Sequence, residues 1–245
     1  MSIKKHKASE KEIQTKALQW IKRNKHKLLE KFASDDKYLK VDRPISVFMA
    51  GSPGAGKTEF SKMLIEKIFS NTPMQPLVRI DPDEIREMIP NYTGGNAYLF
   101  QQATDRAVHE LHNYCLRKGK NFILDGTLYN YQRAEENISR SLKRDREVIV
   151  FYLYLNPYVA WDITQKREVI EGRKILKEDF ITKLFASRAT IKKIKKKFGT
   201  SIQLWAVKKR SVDADDFKHW DNIDIKTLDK HVNIPYNEDQ LKHDL

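Results

Sequence analysis

The sequence predicts an α/β fold in which a parallel β-sheet carries helices on both faces and is preceded by an N-terminal helix. Two observations support this prediction. Short apolar runs with many β-branched residues, typical of buried strands, alternate along the chain with longer stretches of helical periodicity. The first of these runs also ends directly on a glycine-rich loop that opens a helix. Strands connected through helices form right-handed crossovers, which place the strands parallel to one another.

The predicted elements follow in a regular order. An amphipathic helix over residues 8–34 comes first, and a polar connector over residues 35–44 follows it. Strands are predicted at residues 45–50, 77–80, 121–124, 148–155 and 202–207. Helices are predicted at residues 58–69, 97–118, 131–144, 157–170 and 177–198. These elements divide the chain into a basic N-terminal helical segment (1–43), a core (44–210) and a tail (211–245) that shows no clear period and is expected to be peripheral.

The composition indicates a soluble globular protein, because 40% of the residues are hydrophobic and 32% are charged. No apolar run approaches the roughly 18 residues that a membrane span needs, so no membrane association is expected. The N-terminus is basic and lacks the apolar stretch of a secretory signal, which predicts a cytoplasmic protein.

The net charge of +13 raises the question of a nucleic-acid partner. Residues 1–44 hold thirteen Lys and Arg against six Asp and Glu, which is about half of the excess, and residues 192–197 form a second basic cluster. Charge runs on helices commonly form solvated faces, and a polyphosphate substrate also favours a positive field. Nucleic acid is therefore not the expected partner.

The glycine-rich loop carries the strongest functional signal. It lies between an apolar strand and a helix and consists of Gly51, Ser52, Pro53, Gly54, Ala55, Gly56, Lys57 and Thr58. Glycines allow the positive backbone angles that turn N–H groups toward a phosphate, and a helix N-terminus favours an anion. Lys57 would bridge the β- and γ-phosphates, and the Thr58 hydroxyl would ligate Mg²⁺. The loop predicts binding of ATP or GTP together with Mg²⁺.

Two acidic residues follow predicted strands, at the sheet edge where ligands bind in open α/β folds. Phosphoryl transfer to a hydroxyl needs one carboxylate at the metal and another that accepts the proton. Asp125 directly follows a hydrophobic strand and suits the metal, whereas Asp83 at another strand end suits the base. Residues 81–84 also fit a simple helix cap, with Asp81 as N-cap and Pro82 at the first helical position. The two interpretations are compatible.

Arg167 and Arg173 flank a glycine-containing stretch after the fourth predicted strand. Arginines on a mobile loop can neutralise the charge that develops on a transferring phosphoryl group. The alternative is the exposed basic end of a helix, and the residues alone leave both interpretations open.

Taken together, these residues resemble the zeta toxin kinases of toxin–antitoxin systems, P-loop kinases whose characterised members phosphorylate the 3′-hydroxyl of the sugar in UDP-N-acetylglucosamine. The resemblance spans residues 44–207 and rests on the P-loop, residues 81–83 and 125–127, and the two arginines. It implies that Asp83 is the catalytic base and that Asp125 replaces a family glutamate. It further implies that Thr127 lies near the substrate, that Arg167 and Arg173 act as lid arginines, and that an antitoxin is a candidate partner.

The chain departs from the family pattern on the acceptor side. Tyr129 stands where an arginine is usual, and His109 falls near the position of a glutamate that contacts the sugar. His109, Arg106 and Thr127 are our candidate substrate residues. The predicted function is transfer of the γ-phosphoryl group to a nucleotide-sugar hydroxyl. A polynucleotide 5′-kinase and a nucleotide-dependent switch remain alternatives. The N-terminal helix either packs on the sheet to complete the core or docks as an inhibitory segment.

Overall fold

A six-stranded sheet organises the fold in the computed structural model, which describes residues 2–69, 76–211 and 216–245. Its strands are β1 (Ile45–Ala50), β2 (Val78–Ile80), β3 (Phe122–Leu124), β4 (Glu147–Tyr154), β5 (Gln203–Lys209) and β6 (Phe217–Trp220). They lie in the order β2-β3-β1-β4-β5-β6, and all neighbours are parallel except β5 and β6. The predicted α/β class with a parallel sheet is confirmed, and the antiparallel edge strand β6 is added to it.

Helices cover both faces of this sheet. They are α1 (Ser2–Arg23), α2 (Lys25–Ala33), α3 (Lys57–Leu64), α4 (Pro82–Glu87), α5 (Gln101–Lys118), α6 (Tyr131–Leu142), α7 (Pro157–Glu171), α8 (Lys177–Phe198), α9 (Ile225–His231) and α10 (Glu238–Asp244). A π-helical turn extends α3 over Ile65–Phe69. Side chains of β1 alternate between two cores, since Phe48 packs in one and Val47 and Met49 pack in the other. No helix in these ranges is long and apolar enough to cross a membrane.

The N-terminal segment forms two helices, so the prediction of one helix over residues 8–34 is wrong. The break lies at Asn24, whose backbone leaves the helical region with φ −108° and ψ 25°. Its side-chain amide and its own backbone N–H both donate to the carbonyl oxygen of Trp20 at 2.9 Å. Leu28 and Ala33 of α2 are fully buried and belong to the same core as the sheet. The structure therefore favours packing over an inhibitory docking of this segment.

The tail after residue 210 contributes to the fold, which corrects the prediction of a peripheral segment. Strand β6 extends the sheet, and the side chains of Leu228, Val232 and Leu241 are fully buried. These elements are only four to seven residues long, too short for hydrophobic periodicity to identify them. Residues 212–215 of the predicted tail lie outside the described residues, and the division of the chain into three parts stays a prediction.

Candidate active site

The P-loop lies at the carboxyl end of β1, in the centre of the sheet. The backbone N–H of Gly51 donates to the carbonyl oxygen of Thr127 at 3.2 Å, which joins the loop to the segment after β3. Gly54 has φ +70°, and a Cβ atom there would lie 2.1 Å from the carbonyl oxygen of Ala160. Only glycine fits a left-handed position this close to another backbone. The loop conformation is thus fixed by contacts with α7 and with the β3 end.

Lys57 begins α3 and folds back over the loop. Its Nζ atom donates to the carbonyl oxygens of Ser52 at 2.6 Å and Gly51 at 3.2 Å. Burial lowers the pKa of Lys57 from 10.5 to about 8, and the negative charge of Asp125 opposes this shift. The charges of Asp83 and Glu59 also raise the pKa of Lys57, whereas the charge of Arg167 lowers it. An anionic phosphate would favour its protonated form.

Asp125 lies at the end of β3, as predicted, and it is bound by two donors. The Ser61 hydroxyl donates to its Oδ2 atom at 2.8 Å, and the Arg79 guanidinium donates to the same oxygen at 2.9 Å. Asp81 also pairs with Arg79. Burial and the nearby Asp125 raise the pKa of Asp81 to about 6. These contacts form a buried polar cluster behind the P-loop.

Asp81 is the N-cap of α4, which confirms the cap interpretation. Its Oδ1 atom accepts a hydrogen bond from the backbone N–H of Asp83 at 2.8 Å, and Pro82 begins the helix. The Asp83 carboxylate is only partly buried, and it pairs with Arg86 at 2.6 Å and with Arg173. Asp81 therefore shapes the turn, and Asp83 presents its carboxylate at the sheet edge.

The two arginines of the α7–α8 region both contact site residues. Arg167 donates to Glu59 of α3 at 2.8 Å, and Arg173 pairs with Asp83 and Glu171. Arg173 belongs to the loop of residues 172–176, called the α7–α8 loop from here on. Arg167 therefore lies at the first turn of α3 and Arg173 lies at Asp83, and their roles as lid arginines stay predictions.

The α7–α8 loop packs against the loop of residues 91–96. A Cβ atom at Gly94, which has φ +81°, would lie 2.5 Å from the carbonyl oxygen of Glu171. Gly172, with φ +68°, ends α7 in the left-handed conformation. The two glycines allow close approach of two backbones beside Asp83.

The candidate substrate residues lie in two places. Thr127 is at the P-loop, where its carbonyl oxygen also accepts a hydrogen bond from the Ser187 hydroxyl at 2.8 Å. Arg106 and His109 are exposed on α5, and Arg106 pairs with Glu110, which in turn pairs with Lys25 of α2. The contacts of the described residues therefore connect Arg106 to the N-terminal helices and not to the P-loop. The substrate roles of Thr127, Arg106 and His109 stay predictions.

Sequence reasoning missed two basic residues at this site. Arg79 joins the acids at the ends of β2 and β3, and its only signal was a charged residue inside an apolar strand. Lys209 at the end of β5 is 3% exposed, and a Cβ atom at Gly56 would lie 2.3 Å from its Nζ atom. No sequence motif near Lys209 relates it to the P-loop, because only the order of the strands in the sheet brings the two together.

The donor atoms at the site suit Mg²⁺ held mainly by a nucleotide. Mg²⁺ commonly takes one or two protein oxygens together with substrate phosphates and water. Thr58 and Asp125 carry a hydroxyl and a carboxylate, and their roles as metal ligands stay predictions. Within the described ranges, no group of three or more His, Cys, Asp or Glu side chains could hold a metal ion by itself. The residues therefore fit a metal that arrives with the phosphates.

The fold and the site together define a P-loop nucleotide-binding protein of the kinase type. The zeta toxin family model matches residues 30–221, which is well over half of the chain. The chain therefore belongs to the zeta toxin family of P-loop kinases, as the sequence motifs indicated. The comparison with curated proteins gave no match.

Solved structures show the same fold at low sequence identity. A structure of the PezAT chromosomal toxin–antitoxin system of Streptococcus pneumoniae is 16% identical, with a TM-score of 0.68 and coverage of 89% of this chain and 92% of that chain. A structure of the AvrRxo1-ORF1:-ORF2 complex with ATP is 13% identical, with a TM-score of 0.54. It covers 88% of this chain and 64% of that chain.

Proposed function

We propose that this protein transfers the γ-phosphoryl group of ATP or GTP to a hydroxyl of a nucleotide sugar of the UDP-N-acetylglucosamine type and acts as a zeta-type toxin. The observation that carries the proposal is the position of two strand-end acids at the P-loop helix and the α7–α8 loop. Asp125 accepts a hydrogen bond from Ser61 of α3 at 2.8 Å, and Asp83 pairs with Arg173. Phosphoryl transfer uses a nucleotide-binding loop together with an accessible carboxylate and nearby arginines.

Each residue has a distinct part in the proposed reaction. The P-loop N–H groups and Lys57 bind the donor phosphates. Thr58 and Asp125 would hold Mg²⁺, which would supply positive charge to those phosphates. Asp83 accepts the proton of the attacking hydroxyl. Arg173 leaves the Asp83 carboxylate and binds the transferring γ-phosphoryl group. Arg167 binds the same phosphoryl group from α7.

The solved structures with the same fold support a nucleotide as the phosphoryl donor and an antitoxin as a partner. One neighbouring structure contains ATP, which supports a nucleotide as the donor. Another comes from a toxin–antitoxin system, which supports an antitoxin as the partner of this chain. The nucleotide-sugar acceptor rests on the family resemblance, which implies that Thr127 lies near the substrate. The hydrogen bond from the Gly51 N–H to the Thr127 carbonyl oxygen at 3.2 Å supports a place for Thr127 beside the P-loop.

The basic surface gives little support to a polynucleotide 5′-kinase. Lys192 pairs with Asp229 at 2.8 Å, and Lys197 pairs with Glu135. Lys193 lies over the ring of Tyr131, with its Nζ atom 5.5 Å from the centroid. Much of the lysine cluster on α8 is thus engaged within the fold and is less available to a nucleic-acid backbone.

The test is release of nucleoside diphosphate in the presence of a panel of UDP-sugars, with single-stranded oligonucleotides as competing acceptors. Asp83→Asn should lower phosphoryl transfer by about 100-fold or more, because general base catalysis contributes on that order. Glu87→Gln, an exposed change on the same helix, is the matched control. Absence of turnover on every sugar would refute the proposal. Unchanged toxicity of Asp83→Asn in cells would instead favour a nucleotide-dependent switch.

A further inference from the structure

We propose that Arg79 is a positioning residue that gathers the carboxylates at the ends of β2 and β3 and ties them to the P-loop helix. The inference rests on the proposed phosphoryl transfer, and it adds a residue that no motif of this chain indicated. Arg79 lies in the middle of β2, between Val78 and Ile80, both of which are fully buried. Because side chains alternate along a strand, Arg79 points to the opposite face of the sheet from these two residues.

On that face the guanidinium binds four side chains. Its Nε atom donates to the Ser61 hydroxyl at 3.0 Å. One terminal nitrogen donates to Glu84 at 2.5 Å, and the other donates to Asp125 at 2.9 Å and pairs with Asp81. A planar guanidinium with a rigid fork of donors can satisfy several carboxylates at once, which a lysine cannot.

The charge of the cluster explains why an arginine is needed there. Asp81 and Asp125 are each 5% exposed, and two carboxylates this buried are costly without a cation. The acids converge on the guanidinium, and the described residues offer no cluster of three metal-ligating side chains. Arg79 therefore supplies the positive charge that these two buried carboxylates require.

The contacts of Arg79 continue to the proposed base. Asp81 uses one oxygen for Arg79, and its other oxygen accepts the backbone N–H of Asp83 at 2.8 Å. On the other side, Arg79 and Ser61 donate to the same oxygen of Asp125. Arg79 thus sets the position of the turn that carries Asp83 relative to Asp125 and to α3.

The test compares Arg79→Met and Arg79→Lys with Arg146→Met in the full-length protein. Arg146 is also a buried arginine, and it donates to Ser46 at 2.6 Å and to the Ile45 carbonyl oxygen at 2.8 Å, at the amino end of β1. It therefore controls for the loss of a buried hydrogen-bonded arginine away from the site. Small misplacements of reacting groups cost about 100-fold in rate. We expect Arg79→Met to lower kcat by about that factor, with the nucleotide Kd changed by less than about threefold.

Hydrogen exchange gives a second readout that needs no turnover. In Arg79→Met the amides of α4, including that of Asp83, should exchange at least about tenfold faster, whereas Arg146→Met should leave them unchanged. Arg79→Lys should recover only part of both losses. If Arg79→Met does not fold, Ser61→Ala removes one contact of the cluster and should give a smaller loss of kcat.

The outcomes separate the two proposals. A wild-type protein that transfers phosphate to no acceptor refutes the proposed function, and the exchange experiment still decides the role of Arg79. A wild-type protein that is active, together with an Arg79→Met variant whose kcat and α4 exchange are unchanged, overturns the inference. Equal effects of Arg79→Met and Arg146→Met would reduce Arg79 to a structural residue and overturn it as well.

Discussion

The guanidinium of Arg173 pairs with the carboxylate of Asp83, so the α7–α8 loop contacts the proposed base directly. Arg173 is 23% exposed and Asp83 is 42% exposed as side chains, which leaves both accessible to a ligand. A phosphoryl group that carries more charge than a single carboxylate competes for the arginine. Binding of the nucleotide would then release Asp83 to accept a proton.

Replacement of Arg173 by methionine tests this exchange of partners. We expect Arg173→Met to lower kcat by about 100-fold or more, because an arginine that neutralises the transferring group contributes on this order or above. The measurement is steady-state diphosphate release at saturating nucleotide. Lys174→Met is the control, since Lys174 is 66% exposed and approaches Glu168 only to 3.9 Å. Equal activities of the two variants would contradict the role of Arg173.

The pKa of Lys57 predicts proton uptake on nucleotide binding. Its pKa of about 8 lies below the ordinary value of 10.5. Burial of Lys57 therefore destabilises the folded state at acidic and neutral pH, and this destabilisation is lost as the pH rises from about 8 to 10.5. Phosphate oxygens favour the charged form and should raise the pKa again. At pH 9, calorimetry in buffers of different ionisation enthalpy should show proton uptake that Lys57→Met abolishes. The same uptake in the variant would assign the proton to another group.

Two adjacent glycines provide a matched test of the contact between the 91–96 loop and the α7–α8 loop. Gly94→Ala places a methyl group 2.5 Å from the Glu171 carbonyl oxygen at a left-handed position, whereas a Cβ atom at Gly95 has its nearest neighbour at 3.9 Å. We expect Gly94→Ala to destabilise the protein by more than about 1 kcal/mol and to speed proteolysis of the α7–α8 loop. Gly95→Ala should be close to neutral. Thermal unfolding and limited proteolysis of both variants measure the difference, and equal behaviour would refute the close approach.

The N-terminal helices should be required for stability. Leu28→Ala removes a side chain that is 1% exposed in the main core and should cost about 2–5 kcal/mol. Leu39→Ala, at a position that is 50% exposed, should cost less than about 0.5 kcal/mol. Urea denaturation at equilibrium compares the two variants.

Deletion of residues 1–40 extends this test. It also removes Ala33 and Ser34, whose carbonyl oxygens accept hydrogen bonds from the buried ammonium of Lys120 at 2.9 and 3.0 Å. Leaving that charge without its partners is costly, so the truncated chain should fail to fold. A folded and hyperactive truncated protein would instead identify the segment as an inhibitor.

The local parts of the site were predictable from the sequence. The P-loop needs a strand, a glycine-rich turn and a helix in immediate succession, and all three lie within residues 45–64. The cap at Asp81 was predictable for the same reason, because its partner Asp83 is two residues away. In contrast, the break at Asn24 interrupts a continuous helical pattern at a single residue, and hydrophobic periodicity does not locate it.

The sequence by itself determined the α/β class, the P-loop and the strand-end positions of Asp83 and Asp125, because these follow from periodicities and residue types within short segments. Only the tertiary structure decided that Arg79 pairs with both Asp81 and Asp125 and that Arg173 pairs with Asp83. The same holds for the packing of the Lys209 side chain against Gly56. These partners are separated by dozens of residues or more, except for Arg79 and Asp81. Which of them meet is set by the strand order and by the path of the α7–α8 loop, and no local pattern encodes either.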